Sequence, residues 1–169
     1  MMQRLQRLFR HRWVDDGDTA RAVPPALSER LAQHVAASER RHTGEIRIYI
    51  EAGLPASYIW RDATPRERAI AMFGKLRVWD TEQDNGVLIY LLLAEHAIEI
   101  VADRGLSRHV PDAQWQEVVR HMGEQFRAGR YEEGLKQAVD EVTALLVKHF
   151  PAGAGAGNEN ELPDQPVLG

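Results

Sequence analysis

The sequence has no cysteine and only three lysines, and its longest apolar run, Val87 to Ala94, is short. Without cysteine the chain carries no disulfide framework, no thiolate metal site and no cysteine nucleophile. A membrane helix needs roughly 20 apolar residues in a row, so no segment reads as a bilayer span. The opening residues, MMQRLQRLFRHRW, hold no continuous apolar stretch and do not read as a secretory signal, which makes the cytoplasm the expected location. The seven histidines show no HExxH and no paired spacing of the kind that binds zinc. A net charge of −4 leaves no global basic field for nucleic acid.

What is present is the balance of a globular domain: 169 residues, 44% apolar and 27% charged. The charge is unevenly spread. Residues 1–13 carry Arg4, Arg7, Arg10 and Arg12 with no acid, and residues 151–169 carry Glu159, Glu161 and Asp164 with no base. The expected organisation is a basic amphipathic segment over 1–24, a folded domain over 25–150 and a flexible acidic tail over 151–169. In the first segment Leu5, Leu8, Phe9 and Trp13 recur at helical spacing among arginines, before Asp15, Asp16 and Asp18 break the pattern. That pattern makes Arg4, Arg7, Phe9 and Trp13 candidates for a weak contact with an anionic membrane surface or a protein partner.

Pro24 and Pro25 predict a helix over about 26–42, stopped by Gly44. Ile46, Ile48 and Ile50 alternate with Arg47 and Tyr49 as in a strand. Thr64-Pro65-Arg66-Glu67 reads as a capping box, opening a helix to about Arg77. Val87–Ala94 is apolar throughout, which predicts a central strand covered on both faces. Ala97–Ala102 follows after a short connection, as a hairpin. Trp115, Val118, Val119, Met122 and Phe126 form one helical stripe, and Leu135, Ala138, Val139, Val142, Leu145 and Leu146 form another. The order predicts an α/β fold: a three-layer α/β/α sandwich whose small mixed sheet combines a right-handed parallel β-α-β unit with an antiparallel hairpin, followed by two C-terminal helices.

Few stretches carry chemistry. Gly105-Leu106-Ser107-Arg108-His109 lacks the closing glycine of a nucleophile elbow. Asp15-Asp16-Gly17-Asp18-Thr19 has the wrong spacing for an aspartyl-phosphatase signature. Asp80, Glu82 and Asp84 resemble the front of a calcium loop, but Asn85 and Leu91 stand where an EF-hand needs glycine and glutamate. A hairpin turning at Glu95-His96 sets residue 88 opposite about residue 103, so Asp84 and Asp103 share one open end of the sheet. A parallel first strand would start there as well, at Glu45. Three carboxylates repel one another unless a cation or Arg104 intervenes, which points to ion or phosphate binding.

Asp84-Asn85-Gly86-Val87-Leu88-Ile89-Tyr90, then Glu99-Ile100-Val101-Ala102-Asp103-Arg104-Gly105-Leu106, then Trp115, then Phe126-Arg127-Ala128-Gly129-Arg130-Tyr131, together resemble the TPM-domain family. That family includes thylakoid-lumen acid phosphatase-like proteins, photosystem repair factors and a nematode receptor modulator. The ending Glu161-Leu162-Pro163-Asp164-Gln165-Pro166 resembles that of its short soluble bacterial members. The resemblance implies an α/β/α sandwich, calcium binding in some members and a proposed phosphatase activity, with Asp84 at the aspartate of the family's D-x-G-V-L turn. The expected function is a binding or accessory module for a protein partner, with a calcium or other divalent-cation site at Asp84, Asp103 and Glu45. The alternative is a weak metal-dependent phosphatase in which Arg104 contacts the phosphoryl group.

Overall fold

In the computed structural model, β1 (Ile46–Glu51) and β2 (Val87–Leu92) run parallel, with Ile46 beside Val87 and Glu51 beside Leu92. The structure describes residues 2–13, 16–153 and 160–169. The side chains of residues 2–5, 10, 12 and 16 lie outside the described residues, Arg4 among them, and so does Asp15. β3 (Ala97–Ala102) lies antiparallel to β2, and the short β4 (Val167–Leu168) lies parallel to β1 on its other side. The sheet order is β3-β2-β1-β4.

Strand side chains alternate between two cores, as the period of two requires. Ile48, Ile50, Ile89 and Leu91 pack with α3 (Pro25–Glu39), α7 (Asp112–Arg127) and α8 (Tyr131–His149). Tyr49, Leu88, Tyr90 and Leu92 face α4 (Ala56–Trp60) and α5 (Pro65–Lys75). The result is the expected three-layer α/β fold with a mixed sheet. β1 and β2 are buried throughout. The capping box forms as predicted: Glu67 N donates to Thr64 Oγ1 (3.1 Å) and Thr64 N donates to Glu67 Oε2 (2.7 Å). Three short helices go beyond the expectation, α2 (Asp16–Ala22), α4 and α6 (Arg104–Ser107). The hairpin register is two residues tighter than expected, with Leu88 opposite Val101. The chain turns through a 3-10 segment, Leu93–Glu95, and a left-handed His96.

The described apolar residues of α1 (Met2–Trp13) do not share one environment. Leu8 packs on the second core. Arg7 donates to Glu95 Oε1 and to the Ala63 carbonyl, both at 2.6 Å. His11 is buried; its Nδ1 accepts from Leu54 N (2.9 Å) and its Nε2 bonds Glu95 (2.7 Å). Phe9 and Trp13, one turn apart, are 63% and 82% exposed. Polar contacts to the domain therefore hold the helix, and Arg7 is committed to the protein rather than to a surface outside it. Among the described residues no helix is long and apolar enough to cross a membrane.

The acidic tail departs most from expectation. From residue 160 onward it is seated, not flexible. Val167 and Leu168 pair with Tyr49 and Ile50. Gly169 N donates to the Ile50 carbonyl and Ala52 N to the Gly169 carbonyl (2.9 and 2.8 Å). Leu162 is buried. The physical reason lies in β1, which would otherwise expose a bare backbone edge beside buried charges. Glu45 accepts from Glu161 N and Leu162 N (3.2 and 3.3 Å). Arg47 reaches the Gln165 carbonyl (3.4 Å). Glu39 accepts from Ile46 N (2.8 Å) and lies beside the Asp164 carboxyl.

Burial pushes Glu39 up to about 9, with the nearby Glu45 adding to the shift, and burial pushes Glu45 up to about 7. Carboxyls held protonated in the fold but ionised when unfolded stabilise it fully below about pH 4.5. That stability is lost as the pH rises through 7 and then 9. The thermal midpoint, followed by circular dichroism, should fall across that window. Glu39→Gln keeps an acceptor for Ile46 and cannot ionise, so it should flatten the fall; a flat wild-type profile would contradict the upward shift of these carboxyls.

Glu51, at the other end of β1, is buried against Arg68 (2.9 and 2.5 Å), Tyr90 Oη (2.8 Å) and Tyr49 Oη (3.2 Å). Removing it leaves a guanidinium and two hydroxyls without their acceptor. Glu51→Ala should cost about 3–5 kcal/mol in urea denaturation, and Trp13→Ser should stay within about 0.5 kcal/mol.

Candidate functional site

The turn from Asp80 to Gly86 meets the end of β3 at one edge of the sheet, and both are tied down by backbone. Asp84 takes a left-handed conformation, φ +52°, which an aspartate tolerates better than most residues. Asp103 N donates to the Gly86 carbonyl and Gly105 N to the Asp84 carbonyl, both at 2.8 Å. Close packing here requires two glycines. A Cβ on Gly86 would lie 2.0 Å from the Val78 carbonyl oxygen. A Cβ on Gly105 would lie 2.5 Å from the carbonyl oxygens of both Gln83 and Asp84. Gly105 thus lets the end of β3 meet the turn, and Gly86 lets the turn close back on Val78.

Side chains at this edge are all oxygen donors or arginine. Asp103 caps α6, its Oδ1 accepting from Arg104 N (2.7 Å). Its Oδ2 is buried and has no hydrogen-bond partner. Asn85 is fully buried. Its backbone N donates to Thr81 Oγ1 and its Nδ2 to Thr43 Oγ1, both at 3.1 Å. Its Oδ1 is likewise buried without a donor. Asp84 is bridged by Arg104 through Nε (3.0 Å) and Nη2 (3.3 Å), with the arginine side chain 70% exposed. Salt bridges so exposed are weak, so Arg104 is free to exchange Asp84 for another anion.

Asp84 and Arg104 are therefore paired, and Asp103 caps the helix that Arg104 opens. Glu45 does not join them. It does stand at that end of β1, and its carbonyl accepts from Val87 N (2.8 Å). Its carboxylate, however, is held by the C-terminal segment within the Glu39–Asp164 group. Among the described residues no three His, Asp or Glu side chains come together closely enough to hold a metal ion. Sequence reasoning also passed over Asn85. Its signal is the Asp-Asn-Gly turn, which specifies backbone shape and says nothing of side-chain burial. The seated tail touches the same turn: Glu161 accepts from Glu82 N (3.0 Å).

A family model described as the TPM domain matches residues 17–145. The fold is similar to that of the BA42 protein from the psychrophilic bacterium Bizionia argentinensis, solved by NMR. The TM-score is 0.76 at 24% identity, over 87% of this chain and 95% of that one. It is also similar to the N-terminal domain of a P. gingivalis protein, with a TM-score of 0.60 at 19% identity, over 83% and 95% of the two chains. At these identities the likeness is one of fold. No curated protein matches the chain. The family match spans well over half the sequence and includes the Asp84 turn, the Asp103-Arg104-Gly105 segment and the Phe126–Arg127 end of α7: the chain belongs to the TPM-domain family.

Proposed function

We propose that the protein is a binding module whose Asp84–Asp103 edge takes a divalent cation, calcium in the first instance. The observation that carries this reading is the pair of buried oxygens without donors, Asn85 Oδ1 and Asp103 Oδ2. A buried acceptor left unpaired costs free energy, and a hard cation is the partner that would satisfy both. They lie on adjoining loops, joined by the Asp103–Gly86 hydrogen bond. Asp103 and Asn85 would hold the ion, and Asp84 would join them on release from Arg104. Glu45 is not part of this set. When bound, the cation would supply positive charge at an edge that a protein partner or an anionic group can meet, with Arg104 beside it.

Calcium titrated into isotope-labelled full-length protein should shift the amide signals of residues 83–86 and 103–105. Asp103→Asn keeps the helix-capping oxygen and should weaken binding by about tenfold or more. The absence of any shift at these residues with millimolar calcium would refute the reading. Hydrolysis of a phosphomonoester that requires the metal and is lost in Asp103→Asn would instead favour the weak phosphatase, with Arg104 on the phosphoryl oxygens.

A further inference from the structure

At the opposite end of the sheet from the carboxylate edge, a cavity of about 530 Å³ opens between β3 and α7. Small-molecule sites fall in the same range, roughly 300–1,000 Å³. Its walls are apolar: Leu91, Leu93, Ile98, Val119 and Phe126. The polar groups that line it are Tyr131 and three basic residues, His96, Arg120 and Arg127, with no acid. Arg120 is already paired with Glu117 and Glu124. Arg127 has no carboxylate partner among the described residues; its Nε donates to the Gly123 carbonyl (3.1 Å), which leaves its Nη groups to the cavity mouth.

Gly123 is the second observation. It lies in the interior of α7, where only proline is a poorer helix former. Packing does not require it. A Cβ there would sit 3.7 Å from Ile98 Cδ1 and 3.8 Å from Arg127 Nη2, which is ordinary contact. The missing side chain keeps the space between Ile98 and Arg127 open. A residue unfavourable for folding and unexplained by packing, at the mouth of an apolar cavity, has the character of a functional position.

We infer that this cavity binds a small amphipathic anion, its apolar body against Ile98 and Phe126 and its carboxylate on Arg127. The body would hold about ten carbons, given the cavity size. An alkyl chain and a fused aromatic ring both satisfy this chemistry. The site shares no residue with the calcium edge, so the two readings stand or fall separately.

Decanoate and 2-naphthoate, titrated separately into the labelled full-length protein with a metal chelator present, are the probes, with decanol as the uncharged control. At least one acid should shift the amides of Ile98, Gly123 and Phe126, and which one does so identifies the body as alkyl or aromatic. Decanol should bind about tenfold more weakly than decanoate or worse. Gly123→Leu fills the opening and should abolish these shifts while raising the thermal midpoint, since leucine is the better helix former. Arg127→Gln should weaken acid binding about tenfold without moving the midpoint. The inference is overturned if neither acid binds at millimolar concentration, if decanol binds as tightly as the acids, or if Gly123→Leu binds undiminished.

Discussion

The structure turns on one costly arrangement: a strand buried along its whole length that carries charge at both ends. β1 has neighbours on each edge and helices on each face, yet it includes Arg47 and Glu51 and is preceded by Glu45. Ions taken out of water persist only when they are paired and hydrogen-bonded. Much of the surrounding architecture answers that demand. Arg68 comes from α5, Tyr90 from β2 and Tyr49 from β1 itself to meet Glu51. The C-terminal segment supplies two backbone N–H groups to Glu45, a carbonyl to Arg47 and a carboxyl to Glu39. What looked like an acidic appendage is the fourth strand of the sheet and part of its electrostatic shell.

The two ends of that sheet have opposite character. At the start of β1 and β2 the loops press together on glycines and gather oxygen atoms, two of them buried without a donor. At the far end the sheet and α7 part around apolar side chains, and the free charge is positive. A single domain thus presents a hard, oxygen-lined edge and a soft, cation-rimmed hollow, with the buried strands as a rigid spacer between them. Arg104 and Arg127 play similar roles at these places. Each is an exposed guanidinium with spare donors, set where an incoming anion would meet it.

Most of the fold was legible in the sequence because the signals were local. The unbroken apolar run at Val87–Ala94, the Thr64–Glu67 capping box and the two stripes of α7 and α8 each state their element outright. Hairpin geometry places Asp84 and Asp103 at the same end of the sheet, although the register is two residues tighter than the sequence suggests. Glu45 was misplaced because the backbone argument fixed where its strand begins and could not say which partner its carboxylate would find. The seat of residues 160–169 was hidden for a related reason. Alternating Ala and Gly at 152–157 reads as a linker, and a strand of two residues has no period to detect. Asn85 illustrates the same limit: its place in the turn was plain, but the burial of its side chain depends on Thr43 and Thr81.

The seated C-terminal segment also bears on kinetics. Glu45 and Glu161, which it brings together, are 116 residues apart in the chain. Contacts that close so long a loop are entropically expensive and tend to form after the local helices and the hairpin. Interactions absent from the folding transition state act mainly on the rate of unfolding. By that logic the last ten residues contribute little to how quickly the domain assembles and much to how long it stays assembled, a latch more than a nucleus.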